Sequence, residues 1–570
     1  AGGDILLRIA GNLGSAAQRI QLNSQTDRID LDVDRNAYIG GRQGTAQSGN
    51  LNIRTASVDG LLDIAQTDTL TQSGDWSLGA LLMALGANWS MGSGNSVTAQ
   101  TSLDATLGNN ANLGALSVTG TTGNLSLQAK TLQSNADGVL WKADTISLTS
   151  TGTPTSSGDI GALSRYLRVQ GKDVNVSASG KLFLELAAGV TSGKLISQGG
   201  LSLKSMGDLS LATVQSKTAA VQLRGLGVLK ITELLAYNDI DMDGSGFSLT
   251  SATVTSEHGN LLMNLGGALS ADNLNASQGL WNLKAGSADI GTASIGHAVD
   301  MTLAGDLRLD QLTAGGAWTL DAHNASLGVA DITGQVNTTL SGDLQQLTRL
   351  VGQSGWTLKA LNASIGEADL KGAVQQTVTG MLDMTDLKAG GLWNLASKTA
   401  TITKADVTGA VDMTQTGLLT LGTLLGASTW TLNGTDASIG DASVTGQVNT
   451  TLSGSLLQLT QLVGQSGWTL NAVNADIGSA DLQGNVQQTL TGVLDMDSLT
   501  ARGLWTLKGH TSTIRSAAVD KAVAITQTGL LKLTSLTSKD SLVLNGTDAQ
   551  IGSADITDTS AITLTGDLEL

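Results

Sequence analysis

Residues 468–504 read WTLNAVNADIGSADLQG followed by NVQQTLTGVLDMDSLTARGL, two segments of 17 and 20 residues that are built alike. Within each segment, apolar residues alternate with Thr, Asn, Gln or Asp over short runs, which is the period-two pattern of half-buried β-strands. Gly, Asn and Asp recur between the runs, and these are the residues that favour tight turns. The stretch therefore predicts short strands joined by tight corners, and no helical period is sustained.

Copies of this stretch fill the second half of the chain. Tryptophans recur there at intervals of 37 or 38 residues, at Trp281, Trp318, Trp356, Trp393, Trp430, Trp468 and Trp505. Leu542 continues the series after another 37 residues. Three such units make a longer repeat of 112 residues, since GQVNTTLSG stands at 334–342 and again at 446–454. Self-similarity at a fixed short period is the signature of a solenoid.

Each unit of about 37 residues halves into steps of about 18 or 19 residues, enough for three short strands and three corners. The chain is therefore predicted to be all-β, a right-handed parallel β-helix (β-solenoid) of roughly thirty coils. We expect divergent coils with some longer loops over residues 1–275. Residues 276–570 are expected to be regular, with 37-residue double-coil units grouped in 112-residue repeats. Pro154 is expected to mark a loop between Thr151 and Gly161.

The composition agrees with this fold and excludes several classes of protein. The chain of 570 residues has 72 Gly, one Pro, no Cys and 3% aromatic residues. Proline would remove ladder hydrogen bonds, and a chain without cysteine has neither disulfides nor cysteine-ligated zinc. The net charge of −17 argues against nucleic acid or an anionic membrane as the main partner. No apolar run is long enough to predict a membrane span.

The tryptophans have two interpretations, core packing and ligand stacking. For the regular series, the alternation in Trp468-Thr469-Leu470 favours packing in the core or at a corner, in every second coil. Four aromatic residues lie outside the series and are predicted to be more exposed, so they are candidates for ligand binding: Trp76, Trp89, Trp141 and Tyr166. Tyr237 is expected to be exposed as well.

Residues 239–244 read DIDMDG, which resembles the opening of a calcium loop. An EF-hand needs a bidentate Glu at the twelfth position, and Thr250 stands there. The pattern favours a strand with aspartates on its solvent face. The alternative is a surface calcium site formed by Asp239, Asp241 and Asp243 between neighbouring coils.

Catalysis finds little support in the sequence. The four histidines are scattered without metal-ligand spacing. The densest charged cluster is formed by Arg165, Arg168, Lys172 and Asp173, which predicts a basic spot on an acidic molecule. Catalysis needs one unique arrangement of groups, whereas copied repeats spread their features evenly. The sequence therefore predicts a protein that is not an enzyme, with no catalytic residue, no resident metal and no cofactor, calcium excepted.

The repeat style is seen in NLSLQAKTLQSNADGVL at 124–140 and GKLISQGGLSLKSMGDLSL at 193–211. It resembles the filamentous-haemagglutinin-like exoproteins, which Gram-negative bacteria export by two-partner secretion. That family includes large adhesins, biofilm matrix proteins and contact-dependent inhibition proteins. The sequence has no Asn-Pro motif of the family's secretion domain and ends mid-pattern in TLTGDLEL, so we expect an interior repeat segment.

The resemblance implies a secreted or cell-surface bacterial adhesin, a rigid rod that mediates cell–cell, biofilm-matrix or host-surface attachment. Its expected partners are a polysaccharide or cell-surface receptor, and an outer-membrane transporter during secretion. Two alternatives stay open, a polysaccharide-degrading β-helix lyase or hydrolase and the stalk of a contact-dependent toxin-delivery protein. The ligand, the oligomeric state and any calcium dependence are left open as well.

Overall fold

A computed structural model describes residues 4–22, 28–40, 50–153 and 158–570. Pro154 lies outside the described residues. The chain forms two units, Ala1–His297 and Ala298–Leu570, and in each of them short strands pair in parallel with the strands of the next turn. The described residues form about 28 turns, with about 19 residues per turn. The prediction of an all-β, parallel β-solenoid is confirmed.

In the first unit, strands β1 to β27 are, in chain order, Ile5–Ile9, Ile20–Gln21, Ile29–Val33, Ala37–Gly40, Asn50–Thr67, Thr69–Gln72, Trp76–Leu85, Trp89–Met91, Ser96–Leu107, Asn110–Leu113, Ala115–Val118, Asn124–Ala129, Thr131–Ser134, Leu140–Lys142, Thr145–Ser150, Leu167–Gln170, Asp173–Ala178, Leu182–Leu186, Ser192–Ser197, Leu201–Met206, Leu209–Ser216, Val221–Ala236, Ile240–Ser256, Leu261–Leu265, Ala268–Ala276, Trp281–Ala285 and Ser287–Ile295.

In the second unit, strands β28 to β55 are Val299–Leu303, Leu307–Ala314, Trp318–Ala322, Ala325–Ile332, Val336–Leu340, Leu344–Gly352, Trp356–Ala360, Ala363–Leu370, Val374–Ala389, Trp393–Val407, Val411–Gln415, Leu418–Ala427, Trp430–Gly434, Asp436–Val444, Val448–Leu452, Leu456–Gly464, Trp468–Ala472, Ala475–Leu482, Val486–Leu490, Val493–Ala501, Trp505–Gly509, Thr511–Val519, Val523–Gln527, Leu530–Ser538, Leu542–Gly546, Asp548–Ile556, Ser560–Leu564 and Leu568–Glu569. In the part of the chain that the structure describes, no helix has the length and apolarity to cross a membrane.

Tryptophan and valine alternate from turn to turn in the second unit. Trp468 stands in register with Val448 on the turn before it and with Val486 on the turn after it. Val486 is in turn paired with Trp505. All seven tryptophans of the regular series are at most 1% exposed. The prediction that they pack in the core of every second coil is confirmed.

The neighbour that each indole faces follows the 112-residue repeat from Trp318 onward. The indole Nε1 of Trp505 donates to the buried Gln488 Oε1 at 3.1 Å. In another coil, Trp468 Nε1 donates to Thr450 Oγ1 at 3.3 Å. The corresponding place before Trp430 is taken by methionine, and among the described residues the Nε1 of this indole has no hydrogen-bond partner. Three successive tryptophans thus meet three different neighbours, and the pattern then starts again.

Asparagine and aspartate side chains tie the corners of successive turns together. Asn362 donates to Asp343 Oδ1 from its backbone N–H at 3.1 Å and from Nδ2 at 2.9 Å. Asn362 Oδ1 accepts the N–H of Met381 on the following turn at 2.9 Å. Such bonds occupy main-chain groups that lie beyond the ends of the strand ladders, where they would otherwise lack a partner.

Candidate ligand-binding face

One parallel sheet of the first unit carries the charged and polar side chains that best suit ligand binding, and we call it the front sheet. It is formed by β1, β3, β5, β7, β9, β11, β14, β16, β18, β20, β22, β23, β24 and β26. Several of its strands alternate buried and outward residues throughout. In β16, Leu167 and Val169 are buried while Arg168 and Gln170 point outward. The inward residues build the core, so the outward residues are free to meet a ligand.

Three open depressions lie along the outer surface of the front sheet. The first, of about 580 Å³, is lined by Arg8, Asp30 and Asp32 together with small hydroxyl residues. The second, of about 450 Å³, includes Lys142 and Lys172. The third, of about 440 Å³, is again lined mostly by polar residues. Volumes of this size are typical of small-molecule sites, and the polar lining suits a hydrated ligand.

Positive charge is concentrated in the middle of the first unit. Residues 130–230 hold eleven Lys and Arg against six Asp and Glu, a net charge of +5. Since the whole chain carries −17, the rest of it carries −22. We define the basic face by its five cationic side chains: Lys142, Arg168, Lys172, Lys204 and Arg224.

Strand register brings the cations of the basic face together. Arg168 stands beside Glu185, Glu185 beside Lys204, and Lys204 directly beside Arg224. Arg168 Nε lies 3.0 Å from Glu185 Oε1. At the edge of the second depression, Lys172 Nζ lies 2.9 Å from a carboxylate oxygen of Asp144.

Tyr166, predicted as a ligand-binding aromatic, lies at the edge of the basic face. The Nζ of Lys204 sits 3.9 Å from the centre of its ring, and Phe183 packs edge-on at 5.9 Å between ring centres. Its hydroxyl is 2.6 Å from Ser202 Oγ. These contacts fix the ring and cover part of it, so Tyr166 serves to hold Lys204 in place as much as to offer a stacking surface.

The expectation that Trp76, Trp89 and Trp141 are exposed is wrong. These side chains are at most 2% exposed. Trp76 and Trp89 stack on each other with ring centres 6.3 Å apart, and Trp141 Nε1 donates to the backbone oxygen of Gly114 at 3.0 Å. Because buried indoles offer no face to a sugar, these three residues are part of the core. Tyr237, by contrast, is 37% exposed and lies against His258.

The three aspartates proposed for calcium have separate contacts. Asp239 Oδ1 accepts the N–H of Asn260 at a corner, at 2.7 Å. Asp241 and Asp243 lie on the outer face of β23, and Asp241 pairs with Arg224 at 2.5 Å. Asp243 Oδ1 accepts from Asn264 Nδ2 at 2.7 Å. In the described parts of the chain, no three His, Cys, Asp or Glu residues are grouped so that they could hold a metal ion. A calcium site here stays a prediction, whereas the interpretation as a strand with aspartates on its outer face is confirmed.

In the first depression, the carboxylate of Asp30 is already paired with donors of this chain. Arg54 Nε donates to Asp30 Oδ1 at 3.0 Å, and this hydrogen bond holds the pKa of the Asp30 carboxyl below its usual value. Asp30 also accepts from the Thr55 hydroxyl at 2.6 Å. Since its carboxylate is already engaged by these donors, Asp30 is a structural group rather than an open ligand.

The sequence interpretation found only part of the basic face. It singled out Arg168 and Lys172 because they are close in sequence, and it missed Lys142, Lys204 and Arg224, which only strand register brings near them. The net charge of residues 130–230 was the available signal.

Comparison of the chain with protein-family models, with curated proteins and with solved structures finds no match.

Proposed function

We propose that the protein is a secreted or cell-surface bacterial adhesin, a β-helical scaffold that binds polysaccharide or a cell-surface receptor through its outer sheet surfaces. The observation that carries this proposal is the front sheet, whose outer surface holds three open, polar depressions in one row. A row of open depressions suits a polymer, because contacts that are weak one by one add up when they are linked.

The fold supplies the rigidity that such a role needs. Successive turns of the described chain are bonded by parallel strands, and Asn and Asp side chains reinforce corners, as at Asn362. Ordered side chains on a rigid sheet lose little freedom when a ligand binds, which favours affinity. The buried tryptophans add to the stiffness and leave recognition to polar groups.

Export by two-partner secretion belongs to the same proposal. It rests on the resemblance of the repeat style to the filamentous-haemagglutinin-like exoproteins, and it makes an outer-membrane transporter the partner during secretion. A chain with one proline and no cysteine can cross a membrane unfolded and then wind turn by turn, without disulfide formation.

The test is to pass the full chain over immobilised bacterial exopolysaccharides and host glycans, with calcium and with chelator, and to measure retention and cleavage separately. We expect retention of at least one glycan and no shortening of any. Cleavage of a glycan would replace the adhesin with an enzyme, and retention of none would refute binding through these surfaces. Loss of retention with chelator would support the calcium hypothesis for Asp239, Asp241 and Asp243.

A further inference from the structure

We propose that the basic face binds a carboxylated polysaccharide, a polyuronate, with the polymer lying across successive strands of the front sheet. This inference rests on the proposed function and names the ligand class of that same surface.

The first argument is the contrast in charge. The basic face lies in a segment of net charge +5, within a chain whose remainder carries −22. A polyanion is therefore attracted to this segment and repelled by the rest of the chain, which favours one position on the molecule. DNA, with one charge for about every 1.7 Å of its length, would be repelled more strongly by the acidic remainder than a polyuronate, which has one carboxylate per sugar.

The second argument is an unfavourable contact that the sheet tolerates. Lys204 and Arg224 stand directly beside each other in register, on strands about 4.8 Å apart. Like charges at such positions destabilise a sheet. The Arg224 guanidinium pairs with Asp241 at 2.5 Å, and the Lys204 ammonium rests on the ring of Tyr166. Glu185, on the other side of Lys204 in register, is engaged by Arg168, so a carboxylate placed between Lys204 and Arg224 would lower the repulsion that remains.

The third argument is the state of Lys142. Its side chain is exposed in the second depression, and within the residues that the structure describes no ion pair or hydrogen bond engages its ammonium group. Gln170 stands beside it in register, and Ser117 on the other side, so that amide and hydroxyl groups surround the charge. Such a mixture of one cation with neutral donors and acceptors fits the carboxylate and hydroxyls of a uronic acid.

The protein's own ion pairs show how the other cations would be used. Arg168 and Lys172 already hold carboxylates of this chain, Glu185 at 3.0 Å and Asp144 at 2.9 Å. Their side chains are 41% and 70% exposed. Exposed cations in such pairs contribute little to stability, so both can also face a ligand carboxylate. Glu185 and Asp144, at 23% and 25% exposure, then stay nearby, so the net attraction comes from Lys142 and Lys204.

The experiment compares three forms of the full chain on immobilised polygalacturonate, with dextran as a neutral glycan and double-stranded DNA as a second polyanion. The test variant carries Lys142→Gln, Arg168→Gln and Lys204→Gln. The control variant removes the same charge from outward, exposed lysines of the second unit, through Lys359→Gln, Lys508→Gln and Lys532→Gln. Far-ultraviolet circular dichroism and the thermal midpoint establish that both variants keep the fold.

We expect the test variant to bind polygalacturonate about tenfold more weakly than the parent chain, and the control variant to stay within about twofold. The dependence of affinity on salt should fall in the test variant alone. Equal losses of affinity in both variants would overturn the proposal, since they would show that overall charge, and not a particular site, attracts the polymer. Binding to DNA as tight as to polygalacturonate, with the same sensitivity to the test substitutions, would replace the polyuronate by a nucleic acid.

The outcomes also separate this inference from the proposed function. Retention on dextran or another neutral glycan, with none on polygalacturonate, would refute the polyuronate and leave the adhesin standing. If sedimentation shows that the test substitutions abolish self-association without changing glycan retention, the basic face is an interface between copies of this chain, and the proposal fails.

Discussion

The pairing of a buried indole with a buried amide makes a sharp prediction about stability. Trp505 and Trp430 occupy equivalent places, each at the start of a five-residue strand, β48 and β40, and each at most 1% exposed. Their indole N–H groups differ, since Trp505 donates to Gln488 and the indole N–H of Trp430 has no hydrogen-bond partner among the described residues. Replacing each by leucine removes a similar volume and area, so the loss of packing nearly cancels in the comparison.

The remaining difference is the hydrogen bond. Leucine fits this position, as Leu542 shows at 2% exposure in the same register beside Val523. Each substitution should therefore cost less than the roughly 3–5 kcal/mol of a Trp→Ala change. In Trp505→Leu, however, the fully buried Gln488 loses the partner of its carbonyl oxygen. An unsatisfied buried acceptor costs about 1–3 kcal/mol, and Trp430→Leu also removes an indole N–H that lacks a partner, so Trp505→Leu should be the more destabilising by at least that amount.

Hydrogen exchange is the appropriate assay, because turns of a solenoid open locally and a single global free energy of unfolding is poorly defined. The opening free energy of the amides in β48 in Trp505→Leu is compared with that of β40 in Trp430→Leu, each relative to the parent chain. Adding Gln488→Met to Trp505→Leu places at 488 the residue found at Met413 and should recover the difference. Equal costs for the two tryptophans, or no recovery with methionine, would refute the role of the indole hydrogen bond.

Three further predictions concern stability. Asn362→Ala removes the side-chain bonds between three turns and should lower local opening free energies by about 1–2 kcal/mol, measured by hydrogen exchange. Asp63→Ala leaves the Arg19 guanidinium, 16% exposed, without its carboxylate and should cost about 3 kcal/mol, seen as a lower thermal midpoint. The pKa of Asp30 is held low in the folded chain by Arg54, so its stabilising effect is present above the unfolded value near 4 and is lost as pH falls below it. Asp30→Asn should abolish that loss of exchange protection in the first turns as pH falls below about 4, and an unchanged acid response would contradict the assignment.

The sequence was sufficient to predict the turns because repetition and alternation act together. Copies such as Trp468 and Trp505 can have different neighbours, but they must occupy the same face of the sheet. A shift of the strand register by one residue would turn the buried side chains of that strand outward. The local pattern also held for Trp76, where Trp76-Ser77-Leu78 alternates like the regular copies and the indole is buried. The prediction that Trp76 is exposed came from its position outside the 37-residue series. It is wrong because each turn has several inward-facing positions, and a buried tryptophan can occupy any of them.

The basic face was harder to predict because its residues are brought together by register alone. Lys142 and Lys204 are 62 positions apart, and intervening loops of unequal length hide the fact that they share a sheet. The contacts that define their chemistry, such as Tyr166 beneath Lys204, depend on side-chain directions that composition does not specify. Asp241 and Asp243 illustrate the same limit, since the sequence placed them on an outer face but not beside their partners.

Lysine-reactivity footprinting of the full chain, free and bound to polygalacturonate, tests most directly whether the basic face is the binding surface. The acetylation rates of Lys142 and Lys204 should fall on binding, whereas those of Lys359 and Lys508 in the second unit should stay unchanged. Protection confined to the second unit, or equal protection at all four lysines, would contradict the assignment of polysaccharide binding to the front sheet.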